Sequence, residues 1–359
     1  MLTPPRSGGG QVEAGPSGRP QGVGEPLDER KASILRAVVS EYIETAQPVG
    51  SAHVTRVPEV GVSAATIRNE MVALEHEGYL AQPHTSAGRI PTDKGYRYFV
   101  DRLSGPGPLD PARQQQVRKF FAQAHGELEQ MLHDTSNLLS QLTDYAAVVV
   151  SPGTEAAIIR SVQLVSLAHR AALLVVVLSN GAVEKRSLEV DESTGPERLA
   201  SATAHLNAHL VGRALGDLGQ PLATGDEGTD AVVQASLAAL TGPDHSEDPE
   251  HVYVGGASRM ATAFEAVETV RSVLTILEQQ YVVVTMLRDV LDRGLSVAIG
   301  TEHGVVPLAE CAVVVAPYGG AGEDAGTIGV LGPTRMNYPQ ALAAVAVVSR
   351  QLGRRLNEG

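Results

Sequence analysis

PVGSAHVTRVPEVGVSAATIRNEMVALEHEGYLAQPHTSAGRIPTDKGYRYFVDRL, residues 48–103, reads as two short helices meeting at a glycine turn, then a looped hairpin, then a closing helix. That order is the pattern of a winged helix-turn-helix, a module that docks one helix in the major groove of DNA. The second helix carries the argument. Val60-Gly61-Val62 makes a tight turn, Ser63 occupies the N-cap, and Thr66 in the first turn is placed to serve orphan amides or a phosphate. Ile67, Met71, Leu74 and Gly78 recur at helical spacing and form the stripe expected to be buried. The opposite face then holds Ala65, Asn69, Val72 and His76, with Arg68 on its flank. Asn pairs bidentately with adenine, Arg with guanine, and Ala or Val sits against a thymine methyl. For an isolated helix, a solvated face that happens to carry Arg and Asn explains these residues better. The neighbouring elements tip the balance to DNA.

Upstream, Asp28-Glu29-Arg30 opens a helix whose Ile34, Leu35, Val38, Val39, Tyr42 and Ile43 form one broad apolar stripe, and Pro48 stops it. Gly50-Ser51 starts the short helix, Val54 faces in, and Pro58 ends it. Downstream, Tyr79-Leu80 begins a strand and Pro83–Pro91 forms the wing, with His84 and Arg89 expected at its tip. Lys94 and Arg97 follow on the closing element, where Tyr96, Tyr98, Phe99 and Val100 supply core. From Leu27 to Leu103 there are nine Lys/Arg and ten Asp/Glu, so the module is nearly neutral. Any basic patch must come from arrangement, with Arg68, Arg89, Lys94 and Arg97 on one surface and the carboxylates elsewhere. Weak non-specific binding and a modest salt slope follow. Arg68 and Asn69 are the expected base readers. Ser63, Thr66, His84, Arg89 and Lys94 are the expected phosphate contacts, with Arg89 able to reach the minor groove.

Three adjoining runs, LDERKASILRAVVSEYIETAQPVGS, SAATIRNEMVALEHEGYL and HTSAGRIPTDKGYRYFVD, resemble the heat-inducible transcription repressor HrcA family. The later runs IGTEH and GTIGVLGPTRMNYPQAL are similar to its C-terminal signature. The resemblance covers Leu27 to Gly359. It implies a repressor of chaperone operons that binds an inverted repeat as a homodimer, is kept active by a GroEL-type chaperonin, and releases DNA when heat draws the chaperonin away. It also implies an α+β multidomain fold: an N-terminal winged helix-turn-helix and a GAF-like α/β body with an inserted dimerisation domain.

The rest of the chain fits a large body. Its 359 residues allow two or three domains. The net charge of -13 lies almost wholly after residue 103, and an acidic bulk limits adhesion to non-target nucleic acid. A single cysteine, Cys311, excludes an internal disulfide framework. With no leader pattern and no apolar run of membrane-spanning length, the expected location is cytoplasmic.

Residues 1–26, rich in Gly and Pro, are expected to be disordered, and 27–103 to form the DNA module. Ser104-Gly105-Pro106-Gly107-Pro108 is the linker out of it. Residues 104–191 are assigned to the first part of the body, 192–285 to the insertion and 286–359 to the second part. Pro111 to Leu142 has the pattern of one long helix. Strands are expected at Ala146 to Val150, Ile158 to Leu167, Ala171 to Leu178 and Ala182 to Val190, as an antiparallel meander with Asn180-Gly181 as a hairpin turn. The chain then turns helical to about Leu240. A strand at His251 to Gly256 precedes helices through Arg293, strands at Leu295 to Gly300, Cys311 to Tyr318 and Gly326 to Leu331, and a last helix from Tyr338 to Leu352.

Signs of catalysis are weak. His205 and His209 have metal spacing on a helix but no glutamate between them and no third ligand nearby, so no metal and no cofactor is expected. Glu302 and His303 follow a strand, where loop polarity explains them equally well. Cys311 reads as a small core residue. Arg335 beside Gly332-Pro333 could grip a carboxylate in an effector pocket, which makes a small-molecule-responsive repressor the rival function. The simpler reading is that Arg335 and Tyr338 tie the last strand to the last helix. A dimeric scaffold with a vestigial DNA module is the third possibility.

Overall fold

The structure, a computed structural model, describes residues 27–358 apart from 85–86, 124–127, 155–156, 180, 221–222, 242–250, 260–263, 265, 294–295 and 320–325. The expectation of disorder for 1–26 lies outside the described residues.

The N-terminal unit contains α1 (Glu29–Thr45), α2 (Ser51–Val54), α3 (Ala64–His76), β1 (Leu80–Ala81), β2 (Ile90–Pro91) and α4 (Asp93–Asp101). Asp28 caps α1 by accepting the Lys31 amide at 2.8 Å, and α1 ends where Ala46 turns left-handed, two residues before Pro48. Ile34, Leu35, Val38 and Val39 of α1 are buried with Val54 of α2 and with Ile67, Met71 and Leu74 of α3. Gly78 departs from the predicted stripe. It lies beyond the end of α3, exposed, with φ +79°, and turns the chain into β1. The hairpin gains a third element, because Val49 and Arg89 exchange backbone hydrogen bonds at 2.9 Å in both directions.

The body has one antiparallel five-stranded sheet in the order β7-β3-β10-β9-β8, built from β3 (Ala146–Val150), β7 (Val252–Gly255), β8 (Val297–Ile299), β9 (Cys311–Tyr318) and β10 (Gly326–Pro333). Helices cover both faces, so these strands are continuous apolar runs rather than alternating ones. Ala147, Val149, Ala312, Val314 and Val330 face α6 (Leu128–Thr143) and α11 (Tyr338–Glu358). Val148, Val313, Val315 and Leu331 face α9 (Val267–Glu278) and α10 (Gln280–Asp292). Of the long helix predicted from Pro111 to Leu142, the structure describes α5 (Pro111–Gln123) and α6, and residues 124–127 lie outside the described residues.

A separate unit leaves the body between β3 and β7, which pair directly, and whose ends are closed by Ser151 N–H to His251 C=O at 3.0 Å. It consists of β4 (Ile159–Ala168), β5 (Ala171–Leu178) and β6 (Val183–Glu189), packed under α7 (Pro196–Leu210) and α8 (Glu227–Thr241). Ile159, Val162, Leu164, Leu174, Val176 and Leu178 share one core with Leu206, Leu210, Val232 and Val233. Asn207 stitches helix to sheet: its Oδ1 accepts from Val162 N–H at 2.9 Å and its Nδ2 donates to Val162 C=O at 2.6 Å. The boundary expected at residue 192 falls between elements that share this core. The predicted meander also shortens, since Ala146 to Val150 joins the body sheet, where both its faces are buried.

Candidate DNA-binding face

The N-terminus of α3 is capped as its sequence dictates. Ser63 Oγ accepts the Thr66 amide at 3.2 Å and lies 3.0 Å from Thr66 Oγ1, which leaves both hydroxyls at the positive end of the helix dipole. With Ile67, Met71 and Leu74 pinned inward, Ala65, Arg68, Asn69, Val72 and His76 are all exposed on the other side. Among the described residues, the Arg68 and Asn69 side chains have no ion pair or hydrogen bond within the protein. Both are free to meet base edges.

The near-neutral charge of the unit is resolved by pairing. Glu70 lies 3.7 Å from Arg30, Glu75 2.9 Å from Arg89 and Glu77 2.6 Å from Lys31, so the carboxylates along the flanks and end of α3 are matched by α1 and the hairpin. The hydrogen bond that Lys31 Nζ donates to Glu77 Oε1 raises the Lys31 pKa. The exposed face is left with Arg68 and the helix dipole, and no acid. These partners lie far apart in sequence, so no spacing rule reveals them. Arg56, exposed just after α2, is a further cation near this face in sequence, and His53 on α2 is exposed as well.

Three of the four cations expected on one basic surface are committed elsewhere. Arg89 is not at the hairpin tip: it sits at the base, its side chain 15% exposed, tied to Glu75. Its intended reach into a minor groove would require breaking that pair. Lys94 donates to the Glu77 carbonyl at 2.8 Å and lies 4.2 Å from the Tyr79 ring centroid, closing the C-terminal end of α3. Arg97 points away from the hairpin into the body, where it pairs with Glu302. His84 is exposed in the hairpin loop, whose residues 85–86 lie outside the described set. Gly88 allows the hairpin to lie on the preceding loop, since a Cβ there would stand 2.4 Å from the Val49 carbonyl. Gly88→Ala is expected to push β2 off Val49 and destabilise the chain by about 1–3 kcal/mol. A thermal melt of the variant checks this, and a melt identical to the wild type would show that the hairpin accommodates a methyl.

The family model described as HrcA protein C terminal domain matches residues 129–342. A heat-inducible transcription repressor HrcA from Streptomyces avermitilis is 39% identical over 337 residues, covering 92% of this chain and 99% of the relative. Its counterpart from Kineococcus radiotolerans is 41% identical over 342 residues, covering 91% and 98%. The chain belongs to the HrcA family. A crystal structure of a protein called hypothetical, solved at 2.2 Å, shares the fold with TM-score 0.58 and 24% identity over 92% of this chain and 98% of that one.

Within the part matched to the HrcA C-terminal domain, His303 and Tyr338 have structural occupations. His303 is buried; its Nε2 meets the Leu308 carbonyl at 2.9 Å and its Nδ1 accepts from Val305 N–H at 3.2 Å, while burial lowers its pKa. Tyr338 is buried with its hydroxyl donating to Thr334 C=O, and Asn337 N–H donates to the Tyr145 hydroxyl, so this segment does tie β10 to α11. Among the described residues no group of three His, Cys, Asp or Glu could hold a metal ion, and no helix is long and apolar enough to cross a membrane. In the N-terminal unit a small cleft is lined by Ala32, Arg36, Tyr98, Phe99, Arg102 and Leu103.

Burial pushes the Cys311 thiol up to about 12. In the native protein it is expected to resist a thiol reagent near pH 8 and to react once denaturant is added. An unfolded thiol loses its proton at about 8.5 while the folded one keeps it, so this group makes stability fall as pH rises from about 9 to 12. Rapid labelling of the native chain would contradict the placement.

Proposed function

We propose that this HrcA-family chain represses heat-shock chaperone operons of the GroEL/GroES and DnaK/GrpE/DnaJ type by binding an inverted-repeat operator as a homodimer. On this reading the N-terminal unit is a winged helix-turn-helix and α3 its recognition helix, with the β1–β2 hairpin as the wing on the flanking backbone. The observation that carries it is the exposed face of α3. Small residues, one Arg and one Asn stand there with the flanking carboxylates paired elsewhere, beside two hydroxyls at the capped helix N-terminus.

Arg68 and Asn69 read bases, Ala65 lies against a thymine methyl, and Ser63, Thr66 and His84 hold phosphates. Arg89 and Lys94, the remaining expected phosphate contacts, also brace the hairpin and the end of α3. The body serves as a GAF-like scaffold and the unit at 157–241 as the dimerisation element, so two-fold symmetry asks for an inverted repeat. Occupying the promoter represses it without a cofactor. The curated relatives' description as heat-inducible, with the resemblance noted above, supports a GroEL-type chaperonin as the modulator that keeps the repressor active in the cytoplasm. The relatives' description as heat-inducible repressors favours the operon reading over the effector-pocket alternative.

Footprinting on DNA upstream of chaperonin genes tests this. Two protected segments related by a dyad are expected. Uniform protection, or none, would remove the operator assignment.

A further inference from the structure

The N-terminal unit does not hang on its linker. From Arg102 to Asp110 the connection could extend roughly 30 Å if it were the sole attachment. Instead α4 is seated on the body beside β8. Arg97 Nε donates to Glu302 Oε1 at 2.9 Å, its Nη2 donates to Glu302 Oε2 and to the Val297 carbonyl, the latter at 2.7 Å, and its Nη1 reaches Asp101 on its own helix at 3.3 Å. Glu302 is itself held. Its Oε2 accepts from Ile299 N–H at 2.9 Å, and its backbone carbonyl accepts from Arg293 at 2.7 Å. One turn earlier on α4, Asp93 lies so close to Gly300 that a Cβ there would stand 2.1 Å from its carboxylate, and Gly300 has φ +58°, which also favours glycine. Buried Tyr96 meets buried Tyr338 with ring centroids 6.0 Å apart. A two-pronged Arg–carboxylate pair fixes direction as well as distance, which a lysine would not.

We infer that Arg97 and Glu302 are positioning residues for operator recognition: they lock the DNA-binding unit to the body and so set the half-site spacing that the dimer accepts. The inference rests on the operator reading above. Each added base pair moves a half-site by about 3.4 Å and turns it by about 35° around the duplex. A unit free on its linker follows such a change, and a clamped one does not. The two arms of a dimer gain from each other only when both half-sites fall within reach. None of the seat residues is on the α3 face, so releasing the clamp leaves base preference intact.

The test titrates the full-length chain and its Arg97→Ala, Arg97→Lys and Glu302→Gln variants against the footprinted inverted repeat with spacers changed by one, two and five base pairs, and against a scrambled duplex. Wild type is expected to lose about 100-fold in affinity at the larger spacer changes. Arg97→Ala is expected to lose less than about tenfold while still rejecting the scrambled duplex, with Arg97→Lys in between. Glu302→Gln, which keeps an acceptor for Ile299 N–H, supplies the same comparison if Arg97→Ala fails to fold. A folded clamp variant with the wild-type spacing profile overturns the inference, as does a wild type indifferent to spacing. A wild type that does not distinguish the repeat from the scrambled duplex refutes the operator reading instead.

Discussion

Replacing Arg68 and Asn69 together with alanine is expected to weaken binding to the inverted repeat by at most about 2–6 kcal/mol for each half-site engaged, the sum of two bidentate base contacts worth about 1–3 kcal/mol each. The two residues are adjacent on α3, so their effects couple and the double change falls short of the sum. Both side chains are exposed and make no ion pair or hydrogen bond with described residues, so the circular dichroism spectrum and melting temperature stay at wild-type values. Anisotropy titration of both proteins against one labelled operator measures the loss. Arg68→Lys separates charge from geometry: it keeps the cation but loses the fork that matches guanine, so most of the base discrimination goes while the salt dependence remains. Unchanged affinity and unchanged sequence preference in the double variant would remove α3 as the reading element.

Leu74→Ala has the other large effect, and it acts on stability. Leu74 is fully buried between α1 and α3, and its carbonyl accepts from Tyr79 N–H at 2.9 Å where the chain leaves the helix for the hairpin. Truncation leaves a cavity in a small core and is expected to cost about 2–5 kcal/mol. The chain has no tryptophan, so urea unfolding is followed by far-ultraviolet circular dichroism. The expected result is an early loss of signal from the N-terminal unit at lower denaturant. A midpoint unchanged from wild type would mean that this core collapses around the deletion.

The same residues show what the sequence discloses and where it stops. The buried stripe and exposed face of α3 follow from periodicity, a property of the helix alone, and both were legible. So was the Ser63 cap, which depends on residues three apart. Gly78 was misplaced because helical spacing says nothing about where the helix ends, and a glycine at that distance serves equally as a stripe position or a turn. Arg89, Lys94 and Arg97 looked like one basic patch because each is a cation near the wing in sequence. Their true partners, Glu75, the Glu77 carbonyl and Glu302, are set by tertiary geometry, in the last case across 205 residues of chain. The strand runs were located correctly, while their sheet membership was not: Ala146 to Val150 and Ile159 to Ala168 are neighbours in sequence yet belong to different sheets. The signal was present in the side chains. β3 is apolar throughout, as a strand covered on both faces must be, whereas β4 alternates Val162 and Leu164 with Gln163 and Ser161.

Fluorescence-anisotropy binding of the full-length chain, near physiological salt, to a labelled inverted repeat from a chaperonin-gene promoter and to a scrambled duplex, with and without added GroEL-type chaperonin, tests the central claim most directly. The expected result is binding at least about 1,000-fold tighter to the repeat, strengthened further by chaperonin. Equal affinity for both duplexes under every condition would contradict the account.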